Sequence, residues 1–213
     1  MPARLTLRLI LCWLCLACIA LPGAAQQIKR DIDYREIPPQ PIETGERIEV
    51  IDFFFYGCPH CNDLRPRLER WREKKPADVV LRRVPVVRRD SWVPLAKTYF
   101  TLEAMGEVER LHGAVYHSYF VEDLHMSQET VIAQWAAKHG LDAEKFMAIY
   151  RSEETRQKVE RARKITLDYD IQGTPSLVVD GRYLTDGDAA NTIDILDGMI
   201  RLARQQRAAK AGK

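Results

Sequence analysis

FFFYGCPHCNDL, residues 53–64, places Cys58 and Cys61 one helical turn apart, with Pro59 and His60 between them, directly after a run of bulky apolar side chains. The preceding stretch, RIEVIDFFF over 47–55, is β-branched and aromatic and nearly continuously apolar from Val50, the pattern of a strand buried on both faces. Gly57 ends it. After Cys58, Leu64, Leu68 and Trp71 recur at helical spacing. Pro59 suits a first helical turn, and Pro66 should kink the helix. The two thiols therefore lie at a strand-to-helix junction, as a structural clip, half of a metal site or a redox centre.

The chain has 213 residues, 46% hydrophobic and 29% charged, enough for one substantial core. Its start differs in character: Arg4 and Arg8 precede an apolar stretch from Leu9 to Leu21, then Pro22, Gly23, Ala24 and Ala25. That is the pattern of a secretory signal peptide over 1–25, cleaved after Ala25. The apolar stretch is shorter than the roughly 20 residues of a membrane-spanning helix. Lipidation at Cys15 or Cys18 is a lesser alternative, because no Leu stands three before Cys18 and apolar residues continue after it. Cleavage removes Cys12, Cys15 and Cys18, leaving Cys58 and Cys61 as the one internal pair. It also removes two of the 32 basic residues, leaving 30 against 30 acidic ones. A neutral balance points to no nucleic-acid partner. Export leads to an oxidising compartment, where disulfides persist.

Residues 26–45 read as an extended, Pro-punctuated leader, with REIPPQPIETG supplying breaks. A first α/β part is expected over 46–90, in which DVVLRRVPVV, 78–87, forms a second strand ending near Pro85. Stripes at Leu95, Tyr99, Leu102, then Val108, Leu111, Val115, then Val131, Ile132, Trp135 make 91–165 an inserted helical domain. Met105, Met126 and Met147 belong to its core. Ser127, Asp142 and Ser152 are candidate caps, and Val159, Ala162, Ile165 and Tyr169 mark a long helix. In the second α/β part, 166–206, TPSLVVDGRYLTDG turns at Asp180-Gly181 as a hairpin. A last helix carries Ile193, Leu196 and Ile200, and residues 207–213 are expected to be a disordered tail. The order is that of a thioredoxin fold, α/β, with an inserted helical domain.

A cysteine at a helix N-terminus has its thiolate stabilised by unpaired backbone N–H groups and the helix dipole, which assigns the reactive thiol to Cys58. Cys61, one turn inward, is placed to attack a mixed disulfide at Cys58. His60 can favour the Cys58 thiolate by charge or hydrogen bonding. A zinc half-site needs two further ligands; there is no second CxxC, and His112, His117, His125 and His139 read as ordinary surface or core histidines. An inert disulfide closing so short a loop stabilises little. Redox chemistry is the favoured reading.

CPHC at 58–61 after DFFFYG, the helical block, and GTPSLVVDG at 173–181 together resemble the DsbA family of periplasmic disulfide oxidases, over essentially the whole exported chain. The resemblance implies that Pro175 follows a cis peptide facing the CxxC, and that the backbone of Thr174 pairs with an extended substrate. It implies that Asp52 stands where the family carries a buried Glu, as a shorter proton relay to Cys61. Otherwise Asp52 is a strand-end carboxylate paired with Arg82 or Arg83. It further implies a periplasmic monomer that needs no cofactor beyond its Cys58–Cys61 disulfide. Its substrates are reduced, unfolded exported proteins, and a DsbB-like, quinone-linked membrane oxidase restores the disulfide. The alternatives are a disulfide isomerase or reductase, or a non-catalytic peptide- or copper-binding module. A disulfide isomerase of the related class would need a dimerisation domain, for which 26–45 is too short.

Overall fold

The computed structural model describes residues 27–212. The expected signal segment and its cleavage point lie outside the described residues. Strand β1 (Arg35–Glu36) arises in the leader, followed by β2 (Ile48–Phe54), α1 (Pro59–Lys74) and β3 (Val79–Pro85). Five helices come next: α2 (Val93–Ala104), α3 (Val108–Phe120), α4 (Glu129–Lys138), α5 (Ala143–Tyr150) and α6 (Glu153–Asp168). The hairpin β4 (Ser176–Val179) and β5 (Tyr183–Asp186) and helix α7 (Thr192–Ala211) complete the order.

The sheet runs β1-β5-β4-β2-β3, with β2 and β3 parallel and the other neighbours antiparallel. A parallel neighbour requires a crossover, and α1 supplies it. All seven residues of β2 are buried, as its continuous apolar run requires. Ile48 and Val50 pack with Leu64 and Leu68 of α1 and Leu196 and Met199 of α7. Ile51 and Phe53 join Tyr169, Val178 and Leu184 in a second cluster that runs on into the inserted helices. Alternation along the strand puts Asp52 on the face of Val50, beneath α1.

The Asp180-Gly181 turn forms as expected, both residues having positive φ, 55° and 63°. Only glycine fits at 181, because a Cβ there would meet the Gln40 carbonyl oxygen at 2.4 Å. The leader thus lies against the hairpin, and the Gln40 N–H donates to the Gly181 carbonyl at 2.9 Å.

Asp142 caps α5 by accepting from the Lys145 N–H at 3.0 Å, and Ser152 caps α6 from the Thr155 N–H at 3.1 Å. Ser127 is not a cap: Gln128 holds that position, without a side-chain bond. Helix α1 runs unbroken through Pro66. Two expected boundaries change. The division at 165/166 falls inside α6, which continues to Asp168 because its apolar stripe reaches Tyr169 and Lys164 pairs with Asp168 at 2.6 Å. The tail expected to be disordered from Arg207 is instead the end of α7, to Ala211. Arg207 anchors it, donating to the Asp180 carboxylate and to the Glu46 and Arg47 carbonyls. Among the described residues, no helix is long and apolar enough to cross a membrane.

Candidate active site

Cys58 is the N-cap of α1, with extended backbone (φ −97°, ψ 118°) and Pro59 as the first helical residue. It is half-buried, whereas Cys61 is buried and 3% exposed; both thiols are free. In its protonated form Cys58 donates to the Thr174 carbonyl at 3.1 Å. Its pKa is lowered to about 5, chiefly by a hydrogen bond with Cys61 that outweighs the opposing effect of burial. The Thr174 side chain and the backbone N–H groups of Cys61 and His60 lower it further. Cys61 is pushed far upward, first by burial, then by its bond to Cys58 and by the charges of Cys58 and Asp52. One thiol is thus poised as an anion and the other held neutral. The His60 side chain is exposed, and what His60 gives Cys58 here is its backbone N–H.

Asp52 is 5% exposed, in mid-strand rather than at a strand end. Burial raises its carboxyl to about 6, and Arg83, its register partner on β3, opposes the rise. Arg82 points its charge elsewhere, to Glu43 and the fully buried Glu49, both at 3.5 Å. Asp52, Cys61, Arg83, His112 and Pro175 share the wall of a cavity of about 10 Å³, too small for a substrate group. His112 is a core histidine, as expected, and its Nδ1 lies 2.8 Å from the Tyr56 hydroxyl. Burial, then Arg83, Arg65 and Arg72, hold it well below the usual histidine range, so it stays neutral. His117 and His125 are exposed, and His139 packs on Trp135 with ring centroids 4.5 Å apart. Among the described residues no group of three His, Cys, Asp or Glu side chains is placed to hold a metal ion.

The Thr174–Pro175 peptide is cis, and its segment is brought directly to Cys58. Two residues that sequence reasoning missed secure it. Arg88, just after β3, donates to the Ile171 and Gln172 carbonyls on the approach. Gly187 lies against Pro175 so closely that a Cβ would stand 2.9 Å from the proline ring, and its N–H donates to the Pro175 carbonyl at 2.9 Å. Phe55 and Trp92 stack with centroids 3.9 Å apart and planes at 8°. This partly exposed aromatic pair, one member of it three residues before Cys58, was also not singled out from the sequence.

Comparison with known proteins agrees with this geometry. The family model described as a DSBA-like thioredoxin domain matches residues 88–196. The thiol:disulfide interchange protein DsbA of Azotobacter vinelandii is 34% identical over 188 residues, 86% of this chain and 86% of that protein. The chain belongs to the DsbA family. The DsbA of Bordetella parapertussis is likewise 34% identical, over 89% of this chain and 93% of its own. The crystal structure of Pseudomonas aeruginosa DsbA superposes with a TM-score of 0.80 at 34% identity, covering 87% of this chain and 97% of that one. The thioredoxin fold with its helical insertion and the resemblance expected from CPHC and GTPSLVVDG are both borne out. As a DsbA-like protein the chain is a thiol:disulfide oxidoreductase.

Proposed function

We propose that the protein donates its Cys58–Cys61 disulfide to reduced, newly exported proteins in the periplasm. The observation that carries this reading is the inequality of the two thiols: Cys58 half-exposed with its pKa lowered to about 5, Cys61 buried and pushed upward. A substrate thiolate attacks the Cys58 sulfur, the Cys58–Cys61 bond breaks, and a mixed disulfide forms at Cys58. Cys61 leaves and takes a proton, which Asp52 supplies: with its pKa raised to about 6, part of the Asp52 population carries that proton near neutral pH. A second substrate thiolate then attacks the substrate's own sulfur, and Cys58 departs as a stabilised thiolate. The substrate loses two electrons and gains a disulfide; the protein becomes the dithiol.

A stabilised Cys58 thiolate lowers the free energy of the reduced form, which makes the disulfide oxidising. Thr174 offers its backbone beside Cys58 to an extended substrate, as in strand addition to a sheet edge, and Pro175 holds that segment in place. Pro59 and His60 set the helix start, His60 through its N–H. No cofactor beyond the cysteine pair takes part, and the protein acts as a monomer. A DsbB-like membrane oxidase reoxidises the dithiol, passing two electrons to quinone, and the signal peptide over 1–25 directs export.

The test is equilibration of the cysteine pair with mixtures of reduced and oxidised glutathione. The dithiol should predominate even when oxidised glutathione is in excess, and Cys58→Ser should abolish exchange. An equilibrium favouring the Cys58–Cys61 disulfide under reducing mixtures would make the protein a reductant and overturn the reading.

A further inference from the structure

Glu109, in the first turn of α3, belongs to the inserted helices and has no role in the chemistry above. Its two carboxylate oxygens are divided between guanidinium groups from two different elements. One accepts from Arg83 on β3 at 3.0 Å, and the other pairs with Arg72 near the end of α1. The Arg83 side chain is 8% exposed and that of Glu109 57%, so a half-exposed acid neutralises a nearly buried base.

Arg83 is also the charge that acts on Asp52. The other groups facing Asp52 come from every element around it. Helix α1 presents Cys61, Arg65 and Glu69, and Arg65 pairs with Glu69 at 3.2 Å. Helix α3 presents neutral His112 and Tyr116, whose hydroxyl is raised by burial and by Cys61 and Asp52. Tyr99 of α2 interacts with Asp52, and Tyr56 with Tyr99 and Arg83; burial raises both hydroxyls, so they stay uncharged. Arg83 therefore has anions on two sides, Asp52 within the site and Glu109 at the seam with the insertion.

We propose that Glu109 is a positioning residue of the redox site: by holding Arg83 against α3 it limits the charge Arg83 lends to Asp52, and so lets the helical insertion govern proton delivery to Cys61. The inference rests on the reading of Asp52 as the proton donor. Without the Glu109 carboxylate, the Arg83 charge is left opposite Asp52, its register partner on the same cavity wall, so ionised Asp52 is favoured and less of it is protonated near neutrality.

The experiment is the pH–rate profile for oxidation of a reduced dithiol peptide by the oxidised protein, with Glu109→Gln beside the parent. The parent midpoint should lie near 6, as the Asp52 carboxyl requires, and Glu109→Gln should move it about half a unit to one unit toward acid. Glu109→Asp should restore most of the shift, and Glu109→Gln should add nothing once Arg83 is Met. The pH profile of Cys58 alkylation, with its midpoint near 5, should not move, which separates this effect from a general loosening of the site. An unmoved oxidation midpoint in a folded Glu109→Gln, judged by its melt, overturns the proposal. A midpoint near 6 that persists in Asp52→Asn instead removes the Asp52 reading, and this inference falls with it.

Discussion

Cys58 and Cys61 are the same side chain three positions apart, and burial with hydrogen bonding makes them opposites. The first-turn N–H groups reach the Cys58 sulfur, while Cys61 faces the sheet. This difference was legible in the sequence because it follows from place within one helix. The groups around Asp52 were not. Asp52 could be read as a buried relay or as a partly exposed strand-end carboxylate paired with Arg82 or Arg83; the fold buries it in mid-strand beneath α1 while keeping Arg83 as its register partner, a placement that spacing alone does not give. Its raised pKa carries a consequence for stability. A carboxyl whose folded pKa exceeds its ordinary 3.8 contributes stability that is fully present below that value and lost as pH rises through about 6. The difference corresponds to about 3 kcal/mol by the usual 1.36 kcal/mol per unit. Asp52→Asn should therefore be more stable than the parent at pH above 7, by up to about that amount, and the gain should vanish below pH 4. Urea melts at the two pH values measure it, and an equal gain at both would refute the buried-charge account.

At the scale of elements, the active site is a meeting of the α1 N-terminus with the segment leading into β4. Both elements were readable locally: the 3.6-residue stripe of Leu64, Leu68 and Trp71 marks the helix, and the Thr-Pro entry and Asp-Gly turn mark the hairpin. Their close approach was not readable locally: only the family resemblance implied it, and in the structure Gly187 lies against Pro175 from across the hairpin. Strand β1 was also hidden, because two residues give no alternating pattern and its pairing with β5 is a long-range event. Gly187→Ala tests the contact. The new methyl would stand 2.9 Å from the Pro175 ring and 3.0 Å from Leu64 Cδ2, both in packed surroundings. Overpacking of this kind costs about 1–3 kcal/mol and displaces the Thr174–Pro175 segment from Cys58. The variant should oxidise a dithiol peptide several-fold more slowly and melt at lower temperature. Parent activity in a destabilised Gly187→Ala would show that the spacing between Pro175 and Cys58 does not matter for exchange.

Across the whole molecule, ion pairs tie the leader, the insertion and the last helix to the sheet. Glu43 of the leader meets Arg82 of β3 at 3.5 Å and Arg161 of α6 at 2.7 Å. Arg207, in the stretch expected to be disordered, fastens the end of α7 to the hairpin turn and to the residues just before β2. Arg207→Ala removes charge-assisted bonds and leaves the Asp180 carboxylate, 11% exposed, without its partner. The cost should be about 1–3 kcal/mol, a fall in Tm of about 2–4 °C for each kcal/mol in a chain of this size. An unchanged thermal melt would return residues 207–211 to the status of a dispensable tail. The sequence by itself determined what is local: a doubly buried strand, a CxxC at a helix start, an inserted helical block with its apolar stripes, and a Pro-led hairpin with a glycine turn. Those follow from periodicity, backbone preference and capping, which act over a few residues. Only the tertiary structure decided that Arg83 faces Asp52, that Glu109 pairs with both Arg83 and Arg72, that Gly187 supports Pro175, and that α7 continues past Arg207. These depend on burial and on charges a few ångströms apart in space but far apart along the chain, and no spacing rule encodes that distance.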